Sequence, residues 1–247
     1  MLRRAALAVL ALLSLVAVAP AVELDGRFPE LADLPTAHTV PRATYSIGAR
    51  LAPGGTLVGG IRVGVTDYLY LGVSYGARNV VGLGRPDWES RVEFDAKVRI
   101  ARQGNAPVGL ALGFDSRGYG RQFDSGAFEK ASPGLFLVAS REFPFSEHWE
   151  WSAGITRTME ERRARPGFFG GVSARFSQEF SVITELQANA RTMTEEGEST
   201  TAYLNAGLRW FFAKKVQLDF LLRNLTGSRN SPEPSSRSIA FIFHDSF

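Results

Sequence analysis

The sequence G-V-S-Y-G at residues 72–76 matches the G-x-S-x-G pattern that surrounds the nucleophile of many hydrolases. That chemistry needs the serine, here Ser74, on a sharp turn between a strand and a helix, where its hydroxyl is exposed. The residues around Ser74 instead alternate between apolar and polar types, and no helical pattern follows them. We therefore interpret the segment as the interior of a β-strand, in which the glycines allow close backbone approach.

Two of the three histidines have a serine nearby, and a histidine base can activate a serine hydroxyl. His148 has Ser146 and Ser152 as sequence neighbours, and His244 has Ser246. A lipid hydrolase that uses one of these pairs is an alternative that the sequence leaves open. The main interpretation is non-enzymatic, with no catalytic residues. The chain has no cysteine, no metal-ligand spacing and no phosphate-binding loop, so we expect no cofactor and no metal.

The clearest chemical signal is a set of charged residues that alternate with apolar ones. In residues 91–100 every odd position is charged and every even position is apolar. Successive side chains of a strand point to opposite faces, so this strand has one charged face and one apolar face. A charged face must meet water or partner charges, because burying an unpaired charge is costly.

The same parity places further charges on the inner face of a closed sheet, where we predict that they line a lumen. These residues are Arg50, Arg62, Glu93, Asp95, Lys97, Arg99, Asp115, Arg175, Glu185, Arg191, Arg209, Asp219 and Arg223. Two interpretations stay open at this point. The charges either pair with one another in a plugged interior or border a narrow wetted channel.

Twelve segments carry the period-two pattern, and their length of about ten residues suits tilted transmembrane strands. Their predicted bounds are 43–52, 56–66, 68–78, 91–101, 107–116, 134–143, 149–158, 167–177, 180–191, 200–212, 215–225 and 237–246. Residues 134–141 are apolar on both faces, so their orientation cannot be assigned. The fold class predicted is all-β: a single antiparallel transmembrane β-barrel of about 12 strands.

The connections between these strands alternate in length after the first turn. The short ones are residue 67 and residues 103–106, 144–148, 178–179 and 213–214; the long ones are 79–90, 117–133, 159–166, 192–199 and 226–236. Outer-membrane barrels sort their turns in this way, with short turns on the periplasmic side. Aromatic residues also cluster beside the short turns, as expected at a membrane interface.

The two ends of the chain agree with export to a Gram-negative outer membrane. Residues 1–21 have two arginines, an apolar run and a small-residue cleavage site, which predicts a signal peptide. Once the signal peptide with Arg3 and Arg4 is removed, the chain has 26 basic and 25 acidic residues. Its net charge is then close to zero, so nucleic acid is not an expected partner. Residues 22–42 contain three prolines and predict an extended periplasmic lead-in to a barrel at 43–247.

The last strand ends on alternating apolar residues and a terminal aromatic. Phe241, Phe243 and Phe247 resemble the C-terminal assembly signal of bacterial outer-membrane barrels, and Asp245 departs from that pattern. The expected partners are therefore outer-membrane lipid and the barrel-assembly machinery.

Three motifs resemble the YjbH-like family of outer-membrane proteins associated with exopolysaccharide production. They are the glycine-rich segment that begins at Pro53, a G-x-G-x-P-x-W loop at residues 82–88 and G-F-D-S-R-G-Y-G at residues 113–120. The resemblance covers about residues 34–120, with L-P-T-A at 34–37. It implies an outer-membrane location and a role in polysaccharide secretion, with secretion components as partners; it implies no catalytic residue.

The function expected from these observations is passage or secretion of a hydrophilic solute or exopolysaccharide by a non-enzymatic outer-membrane barrel. Two alternatives remain: an outer-membrane lipid hydrolase, and a closed structural or adhesive barrel that presents loops 117–133 and 226–236.

Overall fold

A computed structural model describes residues 26–143, 145–161, 164–194, 197–227 and 235–247. The predicted signal peptide lies outside the described residues. Twelve antiparallel strands form the wall of a barrel. They are β1 (Thr44–Ala52), β2 (Thr56–Gly64), β3 (Leu69–Arg78), β5 (Glu93–Ala101), β6 (Gly109–Asp115), β9 (Gly134–Phe143), β10 (Ser146–Arg157), β11 (Gly167–Arg175), β12 (Phe180–Thr194), β13 (Gly197–Phe212), β14 (Val216–Arg223) and β15 (Ser236–Ser246).

Three short strands lie in the long connections. They are β4 (Asp87–Trp88), β7 (Tyr119–Gln122) and β8 (Phe128–Lys130). The described residues contain no helix that is long and apolar enough to cross a membrane.

The wall closes on itself at two pairings. Strand β1 pairs with β15 from Thr44↔Ser246 to Leu51↔Ile239, and β11 pairs with β12. Every wall strand therefore has a neighbour on both sides, which removes the exposed sheet edges that a spanning structure cannot leave in lipid. The predicted fold class is confirmed.

The predicted strand bounds differ most at the hairpin of β12 and β13. We expected a loop at 192–199, but the pairing continues to Thr194↔Gly197. A register shift between Gln187 and Ala190, with Asn189 at a positive φ of 55°, marks the point where this hairpin leaves the regular wall. Its extension pairs with β8 through Thr192↔Lys130, so the loop strands are held at the barrel mouth.

The two faces of the wall have opposite polarity. On β5, Phe94 and Ile100 are 58% and 59% exposed on the outer face, whereas Glu93 and Lys97 are buried on the inner face at 0% and 1%. The outer surface is thus apolar and the interior is charged, which is the reverse of a water-soluble domain.

Residues 26–42, which we call the plug, fold back into the barrel instead of leading away from it. The segment turns at residues 31–34, where the Leu31 N–H donates to the Leu34 carbonyl at 2.8 Å. Leu34 and Ala37 pack against wall residues in the one apolar cluster found among the described residues, with Ala111, Phe136, Val138 and Phe169. The predicted lead-in at 22–42 has residues 22–25 outside the described residues, and for residues 26–42 the expected extended periplasmic conformation missed this placement. Nothing local in the proline-rich sequence shows which charges its backbone meets.

Candidate functional site

The tip of the plug carries a carboxylate that three wall and loop cations surround. Asp33 accepts a hydrogen bond from Arg50 at 3.1 Å and another from Arg223, and the Lys130 ammonium lies 3.9 Å away. Burial raises the pKa of the Asp33 carboxyl, but Arg223, Arg50 and Lys130 outweigh this effect and hold the pKa below its ordinary value. Asp33 is therefore an anion at neutral pH, fixed by the wall.

The backbone at the same tip binds a wall carboxylate. The N–H groups of Ala32, Asp33 and Leu34 donate to one oxygen of Glu185 at 3.0, 3.0 and 3.1 Å, and Asn205 donates to the other at 2.8 Å. Three successive N–H groups that converge on one oxygen form a small anion-binding nest. Glu185 thus satisfies backbone donors of the turn that would otherwise be buried without partners.

Two arginines of the wall hold the limb of the plug that enters the barrel. Arg209 donates to the Leu31 carbonyl at 2.6 Å while both oxygens of Asp219 fix its guanidinium at 2.8 Å. Arg62 pairs with Glu30 at 2.9 Å and with Asp95 at 2.7 Å. Burial raises the pKa of Glu30, but these and neighbouring guanidinium groups lower it to about 2.

A lysine holds both limbs of the plug. The buried Lys97 ammonium donates to the carbonyls of Pro29, Thr36 and His38, the last two at 3.0 and 3.2 Å. Three carbonyls match the three donors of an ammonium group. The lumen charges therefore bind the plug largely through its backbone, so its conformation matters as much as its side chains.

All thirteen predicted lumen residues are buried or half-buried, and they fall into two groups. Those that contact the plug are Arg50, Arg62, Lys97, Arg175, Glu185, Arg209 and Arg223. Those with other partners in the structure are Glu93, Asp95, Arg99, Asp115, Arg191 and Asp219. Their role as the lining of a solute path stays a prediction.

The spaces on the two sides of the plug differ in size. On the long-loop side, a cavity of about 320 Å³ is bordered by the first turn at Pro53–Gly55, by the ends of β1 and β3, and by the segment around Tyr119. On the short-turn side, the space between the plug and the wall is about 30 Å³. We call the larger space the vestibule; Asp33 of the plug tip is part of its floor.

The arginines that border the vestibule differ in whether they have a partner among the described residues. The two terminal nitrogens of Arg117 donate to the two carboxylate oxygens of Glu89 at 2.6 and 2.7 Å, so the charge of Arg117 is matched. Arg78, at the end of β3, also borders the vestibule. Within the described parts of the chain, no hydrogen bond or ion pair of its guanidinium is recorded.

Five residues of the site were not predicted from the sequence: Glu30, Asp33, Arg78, Arg117 and Tyr119. Glu30 and Asp33 lie outside any strand pattern, in the stretch P-E-L-A-D-L-P. A signal for the plug was nevertheless present in residues 134–141, whose two faces are both apolar. In the structure Leu135 and Leu137 face outward, whereas Phe136 and Val138 pack against the plug.

Within the described part of the chain, neither His244 nor Ser152 has the partner that a hydrolase would need. The His244 ring bonds to Gln217 at 3.1 Å and packs against Phe28 and Phe211. Ser152 pairs with Ser140 at 2.7 Å. Among the described residues, no group of three metal-ligating side chains is found.

The G-x-S-x-G motif lies within β3, as the alternation predicts. Ser74 accepts a hydrogen bond from Arg117 at 2.9 Å, and no strand-to-helix turn surrounds it. The motif therefore lacks the geometry of a nucleophile elbow.

Comparison with known proteins shows the fold of a porin. A solved KdgM porin superposes with a TM-score of 0.51 at 9% identity, over 83% of this chain and 99% of the porin. A structure described as a KdgM porin in complex with disordered oligogalacturonate gives a TM-score of 0.51 at 11% identity, with the same coverage of both chains. No family model and no curated protein matches the chain, so these findings add nothing to the resemblance to the YjbH-like family.

Proposed function

We propose that this protein is a non-enzymatic outer-membrane channel for small hydrophilic solutes, closed by the plug in the conformation described. The charged side chains of the lumen are the observation that supports this proposal. They hold the plug through hydrogen bonds and ion pairs, and a cavity bordered in part by charged side chains lies beyond the plug tip. Water can replace polar contacts of this kind when a segment leaves, since their net contribution is about 0.5–1.5 kcal/mol each.

The outer membrane is the location that suits the wall. Leu137 and Phe220 are among many large apolar side chains exposed on the outer face, an arrangement that lipid stabilises. We expect the barrel-assembly machinery to insert the chain. In the folded barrel the Phe247 N–H donates to the Ala43 carbonyl at 2.9 Å, at the seam where the barrel closes.

Fractionation tests this location. The mature protein should be recovered with the outer membrane and should migrate differently on gels before and after heating, because a closed barrel resists unfolding by detergent. Recovery in the soluble periplasmic fraction without detergent would refute the location.

The vestibule limits the size of the solute. A volume of about 320 Å³ is at the lower end of small-molecule sites, which span roughly 300–1,000 Å³. A molecule of one or two sugar rings suits this space better than a polymer does. The narrower expectation of exopolysaccharide secretion has its support in the motif resemblance, and it would need secretion components as partners.

Planar-bilayer conductance tests the channel directly. Glu185→Ala removes the acceptor of three plug N–H groups, so we expect longer and more frequent openings than in the wild type. Glu89→Ala is the matched control, because Glu89 pairs with Arg117 in the vestibule and makes no recorded contact with the plug. If a folded Glu185→Ala protein stays as closed as this control, the proposal fails.

A further inference from the structure

The cationic group around Asp33 has the features of an anion site that the protein itself occupies. Arg50, Arg223 and Lys130 come from three separate elements and converge on one carboxylate. The Tyr119 ring lies 4.1 Å from the Arg223 guanidinium and its hydroxyl contacts Arg50, which holds both cations in place. Because arginine presents a rigid fork of donors, such a group recognises carboxylates well.

This site opens onto the vestibule. Arg50, Arg223 and Asp33 all border the cavity, so a solute in it can reach the same guanidinium groups that the plug uses. Arg78 borders the cavity as well, and it has no recorded partner within the described residues. A solute carboxylate at Arg78 would therefore break no ion pair among the described residues.

We propose that the vestibule binds a small carboxylate-bearing solute at Arg78, Arg50 and Arg223, and that this solute competes with Asp33 and so releases the plug. The inference rests on the proposed function and names its ligand class. Exchange of one carboxylate for another keeps the local charge unchanged, which avoids leaving the buried cations without a partner.

The mechanism predicts reciprocal effects on binding and gating. A ligand shifts an equilibrium only through its different affinities for the two states, and here the released state offers two more guanidinium groups than the closed one. By the same linkage, weakening the Asp33 contact must tighten solute binding. A purely structural ion pair at the plug tip would show no such tightening.

Calorimetry on the full chain in detergent tests the competition, with glucuronate as the probe and glucose as the neutral match. We expect glucuronate to bind and glucose not to bind. Asp33→Asn should tighten glucuronate binding by about tenfold, and Arg78→Gln should weaken it by about tenfold, the size expected for one charge-assisted contact. Arg85→Gln, in an exposed loop, is the matched control and should leave the affinity unchanged.

Several outcomes would overturn the inference. Glucose binding as tightly as glucuronate would exclude carboxylate recognition, and an unchanged affinity in folded Asp33→Asn would exclude competition. If Asp33→Asn does not fold, Arg78→Gln decides alone, and an affinity equal to that of Arg85→Gln would overturn the site. Opening of Glu185→Ala without any response to glucuronate would refute this inference and leave the proposed function standing.

Discussion

The wall and the plug are held together by different interactions. Each wall strand is hydrogen-bonded along its length to two neighbouring strands. At the seam between β1 and β15, for example, Thr44–Leu51 pairs with Ile239–Ser246. The plug has few backbone bonds of its own, such as Thr36 N–H to the Pro29 carbonyl at 3.0 Å. Most of its polar contacts go to wall side chains such as Lys97 and Glu185.

Under the proposed function, this difference separates stability from gating. The wall satisfies its backbone internally and turns its apolar face outward, so we expect it to persist whether or not the plug is present. The plug depends on charges that water can solvate when it leaves. Charged substitutions on the outer face should therefore destabilise the barrel, and substitutions that remove a contact with the plug on the inner face should open it.

The largest effect is expected on the lipid face. Val98, near the middle of β5, is exposed on the outer face, and an arginine near the bilayer midplane costs about 2–4 kcal/mol. Val98→Arg should lower the urea midpoint of the barrel in vesicles, measured by tryptophan fluorescence, whereas Val98→Leu should not. An equal midpoint for both variants would break the assignment of the outer face.

A smaller effect is expected where the plug meets β9. The Ser140 hydroxyl accepts the Ala37 N–H at 2.8 Å, and a buried N–H without an acceptor costs about 1–3 kcal/mol. Ser140→Ala should raise the open probability in bilayers and leave the urea midpoint nearly unchanged. Ser152→Ala is the control, because it removes the partner of Ser140 but keeps the acceptor for Ala37. Openings as frequent in the control would place the effect elsewhere.

Acid should also open the channel. The pKa of Glu30 is about 2 in the closed state and near 4.5 when the side chain is free, so its contribution to closure is complete above pH 4.5 and is lost as the pH falls toward 2. The open fraction should rise about tenfold between pH 7 and pH 3.5. At pH 3.5, one unit below the free pKa of Glu30, protonation in the open state removes about 1.36 kcal/mol of the free energy that favours the closed state. Glu30→Gln should flatten this part of the curve. A rise centred on pH 6 to 7 would implicate another group.

The smallest effect is expected at the tip of the first long loop. The Leu83 side chain is fully exposed. The residue belongs neither to a strand of the wall nor to the plug. Leu83→Ser should change neither the urea midpoint nor the open probability, since such surface changes stay within about 0.5 kcal/mol. A clear change in either would show that this loop takes part in gating or folding.

The wall could be predicted from the sequence because its pattern is local. Alternation along residues 91–100 already assigns both faces of β5, and the length of the turns gives the order of the strands. The plug could not be predicted in the same way. Its prolines hide any period, and its partners, such as Glu185, lie about 150 residues away in the chain.

The charged site could be predicted only in part, because the strand pattern is local and the contacts with the plug are not. Parity identified Arg50 and Arg223 as inward-facing but could not show that both meet Asp33. The apolar inner face of residues 134–141 was the one local sign that something other than water fills that part of the lumen.

The account's central claim is that movement of the plug opens the channel, and a reversible crosslink tests it most directly. The Ala37 Cβ lies 3.3 Å from the position of a Cβ at Gly109, close to the 3.5–4.5 Å of a disulfide, and the chain has no cysteine of its own. Ala37→Cys with Gly109→Cys, placed in the Glu185→Ala protein, should conduct when reduced and close when oxidised, and each single cysteine should conduct in both conditions. Conductance that persists after the disulfide has been verified by mass spectrometry would contradict the account.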